Sequence, residues 1–227
     1  MRRRLGIDVS FEGADPHGYS RMTDNRHGRL NARHTWMVAA WRQVFTESGG
    51  LIPDRNVERT LRSTHIPVPA GDTRRLDLIV PGTNVARGLP LFCDITIISP
   101  MQRTGAPRPG TSNRSGGLLE RAQNDNNNIY ADVVSSGLGA LQCLGAEVYG
   151  RWSDQCLSLV PALARERCRF LPARIRKGTE LNLLHRWWGL LRISLQRFVA
   201  RMVLHDPGDL PTTSLEPAPD LADLEVL

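Results

Sequence analysis

The chain has 227 residues, of which 41% are hydrophobic and 23% are charged, and its formal net charge is +6. This length and composition suit a single globular domain with a buried core, which excludes wholesale disorder. No run of about 18 apolar residues occurs, so we expect no membrane span. Gly6 and Asp8 interrupt the apolar stretch near the start of the sequence, so we expect no secretory signal there.

The charge is distributed unevenly along the chain. Lys177 is the only lysine, and every other basic residue is an arginine. Residues 206–227 carry six acidic side chains and no basic one, so residues 1–205 have a net charge of +12. Such a basic body favours a polyanionic partner through the release of counterions, although a solvated cationic surface without a specific partner is the alternative. The acidic, proline-rich tail in residues 205–227 is predicted to be disordered.

The first part of the chain predicts a helix followed by three strands. The helix runs from Asn31 to the Gly-Gly pair at 49–50. Its apolar face has helical spacing and consists of Met37, Val38, Trp41, Val44 and Phe45. A weak or edge strand then lies within 51–61, and a short strand lies at 74–80. The strand predicted at 90–99 is apolar on both faces, which indicates a central position in a sheet.

The second part predicts a helix, a strand and two further helices. Residues 101–117 form a loop, 118–134 a polar, asparagine-rich helix, and 146–152 a strand. Ser153 is the N-cap of a helix that ends near residue 169. The last helix spans 181–204, and its apolar face consists of Leu184, Trp188, Leu191, Leu195, Phe198 and Met202. This order of elements is typical of a mixed α/β fold with one sheet.

The four cysteines are widely spaced along the chain, at Cys93, Cys143, Cys156 and Cys168. Their spacing does not match that of a zinc-binding pair, and a disulfide framework is unusual in a chain that can bury a core of this size. We therefore expect four reduced and mostly buried thiols, no zinc, and an intracellular location.

Two aspartates stand inside the strands predicted at 74–80 and 90–99. Aspartate is a poor strand former, and an unpaired carboxylate in an apolar strand costs several kcal/mol. One such residue is usually explained by a buried arginine or by backbone donors. Two of them, Asp77 and Asp94, in successive strands that we expect to be neighbours, are better explained by a shared Mg²⁺ or Mn²⁺ ion. The two-residue period of a strand places Thr96 on the same face as Asp94.

Four segments of the chain resemble a known family of nucleases. They are RRLDL at 74–78, LPLFCDIT at 89–96, LLERAQNDNNNIY at 118–130 and HRWWGLLRISLQR at 185–197. A carboxylate on one strand, a second on the next strand and a following helix resemble the PD-(D/E)XK nuclease core. The closer resemblance is to the endonuclease region that follows the reverse transcriptase in polyproteins of non-LTR retroelements, and it covers residues 31–204.

This resemblance implies a restriction-endonuclease-like fold, with a mixed sheet flanked by helices and with extra C-terminal helices. It also implies that Asp77 and Asp94 bind Mg²⁺ or Mn²⁺ and that the domain is an endonuclease that hydrolyses a DNA phosphodiester. The family's catalytic lysine is replaced by Thr96, and Asn126 stands where related enzymes supply a lysine from the following helix. These four residues are the candidate catalytic residues. Glu47, at the end of the first helix, and Glu58, in the first strand, could complete the metal site, although each is also explained as a solvated acid.

Seven arginines are the candidate nucleic-acid-binding residues: Arg74, Arg75, Arg103, Arg108, Arg114, Arg197 and Arg201. The arginines of the loop at 101–117 and of the last helix, where Arg186 extends the basic stripe, would hold phosphates without reading sequence. The implied partner is nucleic acid, with DNA favoured over RNA, and a reverse transcriptase domain in a parent polyprotein is a further candidate. The implied location is the nucleus for a functional protein.

The expected organisation has three parts. Residues 1–30 resemble part of a zinc knuckle that has lost its metal, since Ser20 and Asp24 stand where a histidine and a cysteine would bind. Residues 31–204 form the nuclease-like domain, and residues 205–227 form the tail. Because the lysine is missing, two alternatives stay open: a catalytically inactive nucleic-acid-binding module on the same fold, or a non-functional retroelement fragment.

Overall fold

The computed structural model describes residues 29–111 and 114–204, together with Tyr19 and Met22. These residues form an α/β fold in which helices flank a four-stranded mixed sheet, as the order of the predicted elements indicates. The predicted zinc-knuckle remnant and the acidic tail lie outside the described residues, apart from Tyr19, Met22 and the two residues that open the first helix.

The strands follow one another across the sheet in chain order. They are β1 (Val57–Thr60), β2 (Arg75–Val80), β3 (Leu91–Ile98) and β4 (Ala140–Glu147). The pairs β1–β2 and β2–β3 are antiparallel, whereas β3 and β4 are parallel and therefore need a helical crossover between them. β3 has a neighbour on each side, which confirms its predicted central position and explains why both of its faces are apolar.

Five helices cover the sheet. They are α1 (Arg29–Glu47), α2 (Gly117–Ile129), α3 (Ala131–Ser136), α4 (Asp154–Cys168) and α5 (Ala173–Leu204). The apolar residues of α1, α4 and α5 share one core with one face of the sheet, and Tyr130 and Val133 join a second core on the other face. Among the helices that the structure describes, none combines the length and the hydropathy that a membrane span requires.

The core between α1, α4, α5 and the sheet is the larger of the two. Its largest fully buried side chains include Trp41, Phe45, Trp187 and Leu191. The smaller core on the other face contains Leu61, Ile66, Leu76, Ile79, Phe92, Tyr130 and Val133. All four cysteines are buried free thiols.

A charged contact joins the end of α1 to the middle of α5. Two nitrogens of Arg186 donate to the Glu47 carboxylate at 2.9 and 2.7 Å, and the Trp187 indole donates to it at 2.8 Å. Although burial alone would raise the pKa of Glu47, these hydrogen bonds outweigh it and lower that pKa. Glu47 and Arg186 therefore hold two helices together.

Two predicted elements were wrong in position or continuity. The fourth strand is Ala140–Glu147 and not 146–152. Glycines within and just before this strand weaken its sequence pattern. Gly139 is nevertheless required, because a Cβ on that residue would lie 2.1 Å from the Phe92 ring. The helix predicted at 118–134 is broken at Tyr130 into α2 and α3.

Three other predictions needed correction. The strand within 51–61 is only the four residues of β1, because short 3-10 turns flank it on both sides. The last helix begins at Ala173, eight residues before the predicted start. On that helix Trp187 is fully buried, whereas Leu184 and Trp188, which were predicted to lie in the core, are only partly buried against it.

The burial of α5 predicts a strong effect of one substitution. Leu191→Ala should lower the free energy of unfolding by about 2–5 kcal/mol, because Leu191 is fully buried in the larger core. Ile193→Ala, on the same helix, should change it by less than about 0.5 kcal/mol, because Ile193 is 59% exposed. Urea denaturation followed by circular dichroism measures both values. Equal losses in the two variants would contradict this packing.

Candidate active site

The pairing between β2 and β3 stops beside Asp77. The paired residues run from Val80 with Leu91 to Leu78 with Cys93. Beyond them the amide of Ile95 donates to Oδ2 of Asp77 at 2.5 Å, where the backbone of β2 would continue the ladder. A buried side chain of β2 therefore replaces a backbone acceptor at this point of the sheet.

The distortion extends to the edge strand. The pairs formed by Val57 with Leu78 and by Arg59 with Leu76 place Glu58 opposite Asp77. Glu58 has a φ of 48°, in the left-handed region that side chains other than glycine rarely adopt. Such strain persists only where the surrounding structure enforces it, and it is concentrated at functional sites.

A buried arginine binds a backbone carbonyl further along β3. Nη2 of Arg33 on α1 donates to the carbonyl of Ile97 on β3 at 3.0 Å. Arg33 is only 8% exposed, and burial lowers its pKa to about 10. Its Nη1 atom has no hydrogen-bond partner among the described residues. α1 therefore places a buried positive charge beside the strand that carries Asp94.

Asp94 is surrounded by neutral hydrogen-bond donors. Thr96 Oγ1 donates to Oδ2 of Asp94 at 2.9 Å, and Nδ2 of Asn126 on α2 donates to the same oxygen at 2.5 Å. The Tyr130 hydroxyl lies 3.2 Å from Oδ1 and also donates to the carbonyl of Arg75. The structure thus brings together three of the four candidate catalytic residues, Asp94, Thr96 and Asn126.

The two aspartates influence each other electrostatically. Burial raises the pKa of Asp94, and the negative charge of Asp77 raises it further, while the hydrogen bonds from Thr96 and Asn126 act in the opposite direction. A phenol carries one hydrogen, so Tyr130 cannot donate to Asp94 and to the Arg75 carbonyl at the same time. Neutral donors therefore satisfy the oxygens of Asp94 without neutralising the paired charge.

His34 on α1 is the cation closest to Asp77 in the described contacts. Its Nε2 lies 3.0 Å from Oδ2 of Asp77, and the two side chains are 33% and 12% exposed. The hydrogen bond to Asp77 raises the pKa of His34, and the charges of Asp77, Asp94 and Glu58 raise it further against the opposing effect of burial. A protonated His34 therefore compensates part of the negative charge.

The donor set suits a hard divalent cation. Within the described ranges no group of three or more histidine, cysteine, aspartate or glutamate side chains is arranged to hold a metal. Mg²⁺, however, is often bound by only one or two carboxylates and keeps several waters. Asp77 and Asp94 lie on neighbouring strands, close enough for the charge of Asp77 to raise the pKa of Asp94, and they are the residues that could hold such an ion.

The arginines predicted to bind nucleic acid have different environments. Arg74 is committed to ion pairs with Asp72 and Asp132, and Arg114 pairs with Glu120 at 2.9 Å. Arg75, Arg103, Arg108 and Arg197 are exposed.

The predicted stripe on the last helix is not continuous. Arg186 is bound to Glu47, so it is unavailable to a phosphate. The guanidinium of Arg201 lies 4.4 Å from the centre of the Trp36 ring. Of these residues, Arg197 is the one that stays exposed.

Sequence reasoning missed His34 and Tyr130. A signal for His34 was present, because it stands three, four and seven residues before Met37, Val38 and Trp41 and therefore continues the apolar face of α1. A polar residue on such a face faces the core and needs a partner. Tyr130 follows the asparagine run directly, but its role depends on the break between α2 and α3, which the sequence did not indicate.

No protein-family model matches the chain, and the search of curated proteins finds no match.

The contact between His34 and Asp77 predicts a pH-dependent stability. Because the folded pKa of His34 is raised, its stabilising effect is complete below pH 6.5 and is lost as the pH rises through the raised pKa. His34→Gln should therefore lower the free energy of unfolding most near pH 6, by about 1 kcal/mol for a partly exposed pair. Denaturation curves at several pH values measure this effect.

His185→Gln is the matched control, since His185 is exposed on α5. That substitution should leave the pH dependence of unfolding unchanged. A His34→Gln effect of the same size at pH 6 and pH 9 would mean that packing, and not the charged contact with Asp77, is what the substitution removes.

Proposed function

We propose that the chain is a metal-dependent endonuclease domain of retroelement origin that hydrolyses a DNA phosphodiester at Asp77 and Asp94. The observation that carries this proposal is the placement of both carboxylates on adjacent inner strands, at a break in the ladder, with the pKa of Asp94 raised in part by Asp77. Perturbed carboxylates held at a distorted point of a sheet are typical of catalytic sites. The order of helix, three strands, helix and strand supports the proposed PD-(D/E)XK core.

Asp77 and Asp94 are the residues that would hold Mg²⁺ or Mn²⁺. Such an ion, when bound, activates water and stabilises the charge that develops on a phosphate. The chain's own residues fix the position of the carboxylates: Ile95 and His34 hold Asp77, while α2 and Thr96 hold Asp94. In this proposal a group other than lysine takes over the role of the family's catalytic lysine, which is Thr96 here.

The exposed arginines of the loop after β3 are the proposed phosphate ligands. Arg103 and Arg108 are exposed, and a short hairpin between Met101 and Pro107 holds the first part of the loop. The loop begins directly after β3, which carries Asp94. A DNA backbone bound by this loop would lie at the end of β3 that leads into the loop. A reverse transcriptase domain of a parent polyprotein and a nuclear location belong to the same proposal.

A second candidate function is a catalytically inactive nucleic-acid-binding module. The observation that favours it is the set of neutral donors on Asp94, since Thr96 and Asn126 occupy Oδ2 at 2.9 and 2.5 Å. Donors of this kind satisfy a buried carboxylate without any metal. In this alternative the exposed arginines still bind phosphates, and Asp77 and Asp94 have only a structural role.

Nicking of supercoiled plasmid tests the first candidate. Wild type should nick in Mg²⁺ or Mn²⁺ and stop in EDTA, and Asp94→Asn or Asp77→Asn should lower the rate at least about a hundredfold, because each removes a metal-binding charge. Asp125→Asn is the matched control: Asp125 is exposed on α2, next to Asn126, and its variant should nick at the wild-type rate.

Equal nicking by wild type and Asp94→Asn would indicate a contaminating nuclease. No nicking by any preparation, together with salt-dependent DNA binding that Asp77→Asn and Asp94→Asn leave intact, would favour the inactive module. If the folded wild-type protein neither nicks nor binds DNA, both candidates are contradicted.

Restoring the missing cation separates the two candidates further. Thr96→Lys places a lysine two residues after Asp94, and in an active site it should raise the nicking rate about tenfold or more by supplying positive charge near the phosphate. Thr96→Met is the control, because it has a similar length and no charge. Nicking that rises equally in both variants would show that the gain comes from the loss of the Thr96 hydroxyl and not from the added charge.

A further inference from the structure

The strongest basic surface in the described part of the chain was not among the predicted binding residues. It is the corner where α4 ends and α5 begins, residues 165–180, with six cations and two carboxylates. All six cations are exposed: Arg165, Arg167, Arg169, Arg174, Arg176 and Lys177. We call this surface the α4–α5 corner.

The two carboxylates of the corner are already engaged. Glu166 accepts a hydrogen bond from the Asn84 side chain and lies 3.5 Å from Arg169, and Glu180 lies 3.8 Å from Lys177. No ion pair within the described residues involves Arg165, Arg167 or Arg174. The corner therefore keeps a positive charge that its own acids leave uncompensated.

A groove gathers three of the arginines. It has a volume of about 510 Å³. Arg165 on α4, Arg169 directly after α4 and Arg176 on α5 line it together with both carboxylates of the corner. Two nitrogens of Arg176 donate to the carbonyl of Leu171, at 3.3 and 2.9 Å, which fixes the direction of this side chain. Arginines held around a groove suit the bidentate recognition of phosphate oxygens.

An exposed aromatic ring stands among these charges. Phe170 is 85% exposed, more than any other large hydrophobic side chain that the structure describes, and the Arg169 guanidinium lies 5.4 Å from its ring centre. Unpaired bases stack on exposed aromatic rings, and arginines beside the ring hold the backbone. A paired duplex offers no free base face to such a ring, so this combination favours a single strand.

The groove lies near the end of the sheet opposite the predicted arginine loop. Val85, from the connection between β2 and β3, lines the groove, so the groove adjoins the end of the sheet where β3 begins. The loop with Arg103 and Arg108 follows the other end of β3. Asp94, in the middle of that strand, is flanked by basic groups at both ends.

We propose that the α4–α5 corner binds the backbone of single-stranded nucleic acid, with phosphates in the groove of Arg165, Arg169 and Arg176 and an unpaired base on Phe170. This assignment rests on the proposed function only for the choice of partner, because the phosphate-binding chemistry of the corner is independent of cleavage. A nuclease with this surface would bind an unpaired flank of its substrate beyond the acids.

The test is the binding of a labelled oligothymidylate of about 16 nucleotides to the full chain in EDTA, measured by fluorescence anisotropy. The triple variant Arg165→Gln, Arg169→Gln and Arg176→Gln should lose about tenfold or more in affinity, and its salt slope should fall by about 2. The control Arg62→Gln, Arg121→Gln and Arg192→Gln removes the same charge from other exposed positions and should lose no more than about threefold.

Phe170→Ala tests the stacked base. It should weaken binding to the oligothymidylate about tenfold and leave binding to a duplex of equal length unchanged. Leu157→Ala, at a residue of α4 that is 50% exposed, is its control and should change neither. Equal losses on single strand and duplex would overturn the stacking of a base.

The outcomes separate this proposal from the proposed nuclease. Equal losses in the corner triple variant and its control would overturn the corner site, whether or not the chain nicks DNA. Loss of affinity in the corner triple variant, with affinity retained in its control, supports the corner even if the chain does not nick DNA. Corner-dependent binding to vesicles of anionic phospholipid, without binding to the oligonucleotide, would identify a membrane surface as the partner and overturn the proposal.

Discussion

The repulsion between two carboxylates on neighbouring strands is the constraint on which the centre of this molecule depends. Asp77 is buried and Asp94 is half-buried, and burial together with the charge of Asp77 raises the pKa of Asp94. Helices on both faces of the sheet supply hydrogen-bond partners to these carboxylates. α1 brings His34 to Asp77, and α2 brings Asn126 to Asp94, so the two helices are tied to the sheet through its acids as well as through its apolar cores.

The backbone pairing of the sheet is irregular beside these two aspartates. Oδ2 of Asp77 accepts from the Ile95 amide and the Arg33 guanidinium donates to the Ile97 carbonyl, in the part of β3 that is not paired with β2. Glu58 opposite is forced to a positive φ. None of these features improves packing, since a buried charge and a strained residue both lower stability. Their coincidence at one point indicates a function for that point.

The placement of Asp77 and Asp94 on neighbouring strands could be predicted from the sequence. The two aspartates were visible because they contradict strand propensity, whereas Asn126 came from the resemblance to the nuclease family. β4 was misplaced because Gly139 and Gly145 weaken its local pattern, and its stability comes from parallel pairing with β3, which is not local. The charges of the corner are contiguous in the sequence, but the groove between its two helices and the exposure of Phe170 are defined only by the tertiary fold.

The placement of charge has one consequence for both candidate functions. Positive side chains lie beyond the two ends of β3, in the loop after it and at the α4–α5 corner, while Asp94 lies in its middle and Asp77 on the neighbouring strand β2. A nucleic-acid backbone held at both ends would bring phosphate towards Asp77 and Asp94, which repel it. His34 offsets only part of that charge. A cation beside the acids would reduce that repulsion, which is consistent with the metal dependence of the proposed nuclease, and the alternative binder would hold its ligand away from the acids.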